Sequence, residues 1–186
     1  MNAFTKYTEE KTMPKIIPDI EQKLLAETKK QVSEKGYAGT TIRSVAEKCG
    51  LGTGTVYNYF KSKNVLIEAF VVNDWNKCLE DMSKGIQITS DNREGLECVY
   101  NCLKEFTNTN HRLFNDSEAA KVFMGTFALK HQTFRHQLGK IIFPLCQNSR
   151  AENKEYLADC IADAILKLTV SGDSFEDIYS VLKLLL

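Results

Sequence analysis

Apolar residues recur along most of the chain at intervals of three and four, and no stretch alternates Val, Ile or Thr with polar residues. That periodicity is the mark of amphipathic helices rather than strands, so an all-α fold of about nine helices is predicted. Pro18 can open the first helix, with Asp19 and Glu21 at its electropositive start. Ile20, Leu24, Leu25 and Val32 give it one buried face, and Gly36 stops it after Lys35. A second helix is capped by Thr40 or Thr41 and ends at Gly50. Its stripe is Ile42, Val45, Ala46 and Cys49, at i, i+3, i+4 and i+7. A third, short helix covers Thr53 to Phe60. Ser62 then caps a fourth, which runs through Val65, Leu66, Phe70, Trp75 and Leu79 to about Lys84.

Beyond a polar break at Thr89–Asn92, Leu96, Val99, Tyr100, Leu103 and Phe106 share a broad helical face that ends at Asn115–Asp116. Two helices are predicted next, Ala119–Lys130 and Thr133–Gln147, the second kinked or ended by Pro144. Residues 152–171 form another, with Leu157, Ile161, Ala164, Ile165 and Leu168 inward and Gly172 closing it. In "DSFE" Glu176 occupies the reciprocal position of a capping box, and the last helix ends in "LLL".

The third helix has an unusual outward side. Val56 and Phe60 point inward to meet Ile42, Val45 and Leu51. Outward lie Thr53 beside Tyr57 and Gly54 beside Asn58, each pair at i, i+4. Lysine and glutamate would serve a surface meant only for water. Small residues, hydroxyls and an amide suit a helix laid in a DNA major groove, where threonine and asparagine reach base edges. Tyrosine hydroxyls, here Tyr57 and Tyr59, can donate to phosphates. Around them, Thr40 or Thr41 places a helix N-terminus where phosphate binds well. Arg43 lies one turn in, and Lys61 and Lys63 flank the next helix start. Arg43 can also pair with Glu47.

The stretch "GYAGTTIRSVAEKCGLGTGTVYNYFKSKNVLIEAF" resembles the DNA-binding segment of the TetR (tetracycline repressor-like) family of bacterial regulators. The resemblance rests on Gly36-Tyr37, Thr40-Thr41, Val45-Ala46, Gly50-Leu51, Gly54-Thr55-Val56-Tyr57, Tyr59-Phe60 and Ser62-Lys63 with Leu66, and covers residues 20–70. It implies that Thr41, Tyr57 and Lys63 hold phosphates, with Arg43, Thr53, Thr55 and Asn58 near base edges. The sequence departs from the family at Gly52, often serine or alanine, and at Thr53, often lysine. The implied organisation is a flexible arm over 1–17, a DNA-binding unit over 18–66 with its helix-turn-helix at about 41–60, and an effector-binding and dimerisation unit over 67–186. Trp75, Tyr100, Phe106, Phe123, Phe127 and Phe134 are candidates for an effector pocket. Leu157, Ile161, Ala164, Leu168, Ile178, Val181, Leu182 and Leu185 are candidates for a twofold four-helix interface. The partners expected are double-stranded DNA, a small-molecule effector and a second copy of the chain, with a repressor as the expected role.

Composition adds little. The 24 basic and 24 acidic residues balance, but residues 1–65 hold 11 Lys/Arg against 7 Asp/Glu, net +4, and the rest 13 against 17, net −4. A basic front fits an anionic partner. The arm's Lys6, Lys11 and Lys15 are expected to be solvated. No run reaches the roughly 18–20 apolar residues of a membrane span, and the first residues lack a signal-peptide core. A cytoplasmic protein with reduced cysteines is therefore expected. The six cysteines form no CxxC pair, and Cys98 and Cys102, on one helix face, read as packing residues. His111, His131 and His136 read as surface or capping residues. No catalytic set, cofactor or metal site is expected, and the chain does not read as an enzyme. Two other readings stay open: a helical-bundle enzyme, and a protein-interaction module that has lost DNA binding.

Overall fold

A computed structural model describes residues 19–89 and 91–186, with the side chains of 123–131 left out. The expected arm, its lysines and the Pro18 start lie outside the described residues. Eight α-helices follow in order: α1 (Ile20–Gly39), α2 (Ile42–Cys49), α3 (Thr53–Tyr59), α4 (Lys63–Ile88), α5 (Asn92–Phe114), α6 (Ser117–Ile142), α7 (Lys154–Ser171) and α8 (Phe175–Leu182). A 3-10 turn, Phe143–Cys146, follows α6, and the described residues contain no strand. The fold is all-α, and no described helix is long and apolar enough to cross a membrane.

Local chemistry fixes most boundaries. At Gly36 the backbone adopts φ 73° and ψ −178°, a conformation that only glycine takes without strain. The chain then makes one more turn, Tyr37 to Gly39, before α2 begins. Thr41 caps α2: its hydroxyl accepts from Ser44 N at 3.0 Å, and the Ser44 hydroxyl accepts from Thr41 N at 3.2 Å. This reciprocal pair satisfies two backbone donors that the helix leaves free.

Two buried clusters organise the packing. The first joins Leu24, Leu25 and Val32 of α1 to Val45 and Ala46 of α2, Val56 of α3, and Leu66, Phe70 and Val71 of α4. Leu113 and Ala119, at the corner between α5 and α6, belong to this same cluster. The second gathers Trp75 and Met82 of α4 with Leu96, Leu103, Leu138, Ile161, Ile165 and Ile178. Helix α4 passes from one cluster to the other between Val71 and Trp75.

Two boundary predictions require correction. The helices predicted over Ala119–Lys130 and Thr133–Gln147 are one continuous α6. "KHQT" between them contains neither glycine nor proline, and its Gln132 and Thr133 lie on the exposed side, so nothing stops the helix before Pro144. The cap of α8 is shifted by one residue. Ser174 is the cap, accepting from Asp177 N at 3.2 Å, while Glu176 pairs with Arg93 of α5 instead.

Candidate nucleic-acid interface

Gly50 makes the turn between α2 and α3 possible. It sits in the left-handed region at φ 69° and ψ 31°. Gly50 N donates to Glu47 O at 3.1 Å and Leu51 N to Ala46 O at 2.9 Å. This paired closure ends a helix abruptly, so α3 can begin at Thr53. The α3 cap is bare: Gly52 supplies no side-chain acceptor, although its carbonyl accepts from Thr55 N at 3.0 Å. Val56 and Phe60 are buried and anchor the helix. Thr53, Gly54 and Asn58 are exposed, Thr55 is half-buried, and Tyr57 is 49% exposed. The hydroxyl- and amide-bearing side of α3 therefore faces outward, held by an apolar inner side.

The flanking groups behave less uniformly. Thr41, Arg43 and Lys61 are exposed, and Arg43 forms no ion pair with Glu47 among the described residues. Tyr59 is half-buried against the first cluster, with its ring 6.4 Å from that of Phe60. Thr40 does not join the surface: it is 1% exposed, and its hydroxyl donates to Gly36 O at 2.9 Å. It buttresses the kink, a correction to its expected DNA contact. Lys63 is half-buried. Its Nζ donates to Tyr37 O at 2.9 Å and lies 3.8 Å from the centre of the Tyr37 ring. Burial lowers its pKa below the usual lysine value, and the Glu118 and Asp116 carboxylates oppose that shift. The Tyr37 hydroxyl in turn donates to Asn64 Oδ1 at 2.7 Å.

This geometry agrees with what related sequences show. Residues 24–70 match the family described as bacterial regulatory proteins, tetR family, and these residues contain the whole of α2 and α3. Residues 24–70 thus carry a tetR-family module. Over 148 residues it is 26% identical to the probable HTH-type transcriptional regulator YttP of Bacillus subtilis (strain 168), covering 73% of this chain and 67% of that protein. Over 141 residues it is 22% identical to the HTH-type transcriptional regulator UidR of Escherichia coli (strain K12), covering 76% of this chain and 64% of that one. The chain thus spans about two thirds of the length of these relatives. Its fold resembles the crystal structure of a tetR-family transcriptional regulator from Pectobacterium atrosepticum, with TM-score 0.67 and 20% identity over 88% of this chain and 90% of that one. These similarities are to transcription regulators, not to enzymes.

The other expected sites are only partly assembled. Trp75, Phe106 and Phe134 border one cavity of about 420 Å³ between α4, α5, α6 and α7. The rings of Phe106 and Phe134 lie 5.4 and 4.8 Å from that of Trp75. Phe123 and Phe127 lie on α6, but their side chains are outside the described residues. Tyr100 is elsewhere: it packs on Phe175 at 5.6 Å, and its hydroxyl donates to Asp173 O at 3.1 Å, tying α5 to the α7–α8 turn. Sequence reasoning placed it in the pocket because periodicity fixes a face, not the partner of that face.

The expected interface residues divide similarly. Ile161, Ile178 and Leu182 are buried within the chain's own second cluster, so they are unavailable to a second copy. Val181 at 58% and Leu185 at 44% remain exposed, joined by Tyr156, Val170 and Leu184, which the sequence reading did not include. Leu157, Ala164 and Leu168 are half-buried.

Sequence reasoning also missed Gln31. It is 1% exposed, and its Oε1 accepts from Ser44 Oγ at 2.6 Å, fixing the start of α2 onto α1. Gln31 falls two turns after Leu24 on the face that also buries Thr28, and that position was the available signal. Cys78 and Cys102 lie in the second cluster or against it, and burial pushes both thiols up to about 12. That keeps them protonated and poorly nucleophilic. Among the described residues no group of His, Cys, Asp and Glu is placed to hold a metal.

Proposed function

We propose that the chain is a transcriptional repressor that binds a near-palindromic operator as a homodimer and is released by a small-molecule effector. The observation that carries this reading is the outward side of α3, where Thr53, Gly54, Tyr57 and Asn58 stand exposed over a buried Val56. Residues 18–66 form the DNA-binding unit, and 67–186 form the effector-binding and dimerisation unit. Thr41, Tyr57 and Lys61 grip phosphate and bracket the reading face, with Arg43, Thr53, Thr55 and Asn58 near the bases. Lys63 joins them only after leaving the Tyr37 carbonyl. The second copy covers the exposed apolar residues of α7, α8 and the following tail. Each reading helix then enters one half-site, about 34–36 Å from the other.

Release requires the effector to favour a form whose reading helices are wrongly spaced. Moving from nearly all bound to nearly all free needs about 5.5 kcal/mol of differential affinity. Helix α4 belongs to both clusters and can transmit such a change.

The test is selection of bound fragments from a random DNA pool, followed by titration of the selected fragment at several salt concentrations. A recovered near-palindrome, bound with an affinity that falls steeply with salt, is the expected result. An unenriched pool would count against the reading.

A further inference from the structure

Cys98 and Cys102 stand one turn apart on α5, at i, i+4, and both are half-buried. Side chains so placed have Cβ atoms roughly 5–6 Å apart, and the two thiols interact directly. Helix α4 holds them from the other side. Cys78 Sγ donates to Cys102 O at 3.4 Å. Gly85 leaves room for the second thiol, because a Cβ there would collide with Cys98 Sγ.

That spacing selects the chemistry. A disulfide needs Cβ atoms about 3.5–4.5 Å apart, closer than one helical turn allows. A single atom inserted between the sulfurs spans the longer gap. Structural zinc takes four ligands, whereas among the described residues no three His, Cys, Asp or Glu groups converge on a metal ion. The bridging atom must therefore bond two soft sulfurs and bring its remaining substituent with it. Trivalent arsenic carrying one organic group meets both conditions. Space for that group adjoins Cys102, which borders a cavity of about 190 Å³ between α1, α4 and α5 together with Phe106. An engineered cavity of about 150 Å³ takes a benzene ring.

We propose that Cys98 and Cys102 form a dithiol site for a monosubstituted trivalent arsenical, R–As(OH)2, with its organic group in the cavity beside Phe106. Two As–O bonds break and two As–S bonds form. Each thiol proton leaves with a displaced hydroxyl as water, so the products are the bridged chain and two waters. No electron is transferred, and the equilibrium requires no standing thiolate. The site stands independently of the proposed DNA binding.

The test is titration of the full chain with phenylarsonous acid, followed by intact mass and a tryptic digest. One phenylarsenic should replace two hydrogens, resist the monothiol glutathione and yield to the dithiol dithiothreitol. Trypsin separates residues 94–104, which hold both Cys98 and Cys102, from 78–84, which hold Cys78. The arsenic should be found on 94–104 alone. Closing the second As–S bond within one chain should make wild-type binding on the order of hundredfold tighter than that of Cys98→Ser or Cys102→Ser. Wild-type affinity in either variant would overturn the site, as would the absence of an adduct on the wild-type chain. An arsenic that joins 78–84 to 94–104 would place the bridge across α4 and α5 and overturn the assignment to this pair.

Discussion

Helices α3 and α8 are close in length, seven and eight residues, and each buries one side against its own cluster. Their outward sides differ. Helix α3 presents Thr53, Gly54, Tyr57 and Asn58, whereas α8 and the tail after it set the aliphatic Val181, Leu184 and Leu185 among the exposed Glu176, Asp177, Ser180 and Lys183. Hydroxyl and amide groups exchange hydrogen bonds with water for hydrogen bonds with another polar surface, and so suit base edges and phosphates. Aliphatic groups gain by leaving water altogether, at about 25 cal/mol per Å² buried. On the proposed function, the same architecture of short helix on apolar cluster serves two kinds of partner, DNA and a second copy, through different outward residues.

The comparison fails if the inner sides are not the anchors. Val56→Asp would place an unpaired charge where the residue is fully buried, costing several kcal/mol. Thermal unfolding should reveal loss of the first cluster, and DNA binding should disappear with it. Val181→Asp tests the other half. That side chain is 58% exposed, so the substitution should change monomer stability by no more than about 0.5 kcal/mol. Sedimentation should nonetheless find the dimer weakened on the order of tenfold or more. An unchanged sedimentation profile would remove α8 from the interface.

Smaller effects sharpen the picture. Thr41→Ala removes the reciprocal cap of α2 and should cost about 0.5–2 kcal/mol of stability, measured by denaturant unfolding. The buried thiols predict a pH dependence. Their pKa values are raised from 9.0 to about 12 in the folded chain, so the unfolded chain loses its thiol protons first. The stability they contribute is intact below pH 9 and declines between about 9 and 12. Cys78→Ala combined with Cys102→Ala should flatten the unfolding curve over that window.

Where the chemistry is local, the sequence was legible. Gly50, Ser62, Gly172 and Thr41 each act within a turn of where they stand, and each marks the boundary expected of it. The stripe Ile42, Val45, Ala46 and Cys49 is buried as its spacing requires. Properties set by distant packing were not legible. Periodicity put Ile161, Ile178 and Val181 on candidate contact faces, but only the packing of α7 and α8 decides that the first two turn inward and the third outward. Nothing near Lys63 in sequence indicates the Tyr37 carbonyl, 26 residues away. Nor does anything near Leu113 indicate that it completes a core begun at Ile20. On the reading face itself, Thr53, Gly54, Tyr57 and Asn58 face outward as their spacing predicts, whereas Thr40 turns inward to hold Gly36.

The central claim is that the outward side of α3 reads base sequence. It is tested most directly by comparing the wild-type chain with Tyr57→Ala/Asn58→Ala on two DNAs, a selected fragment and an unrelated duplex of equal length, at matched salt. Loss of base and phosphate contacts predicts that the double variant keeps its fold, loses on the order of tenfold or more on the selected fragment, and loses much less on the unrelated duplex. Equal affinities of both proteins for the selected fragment would contradict the account.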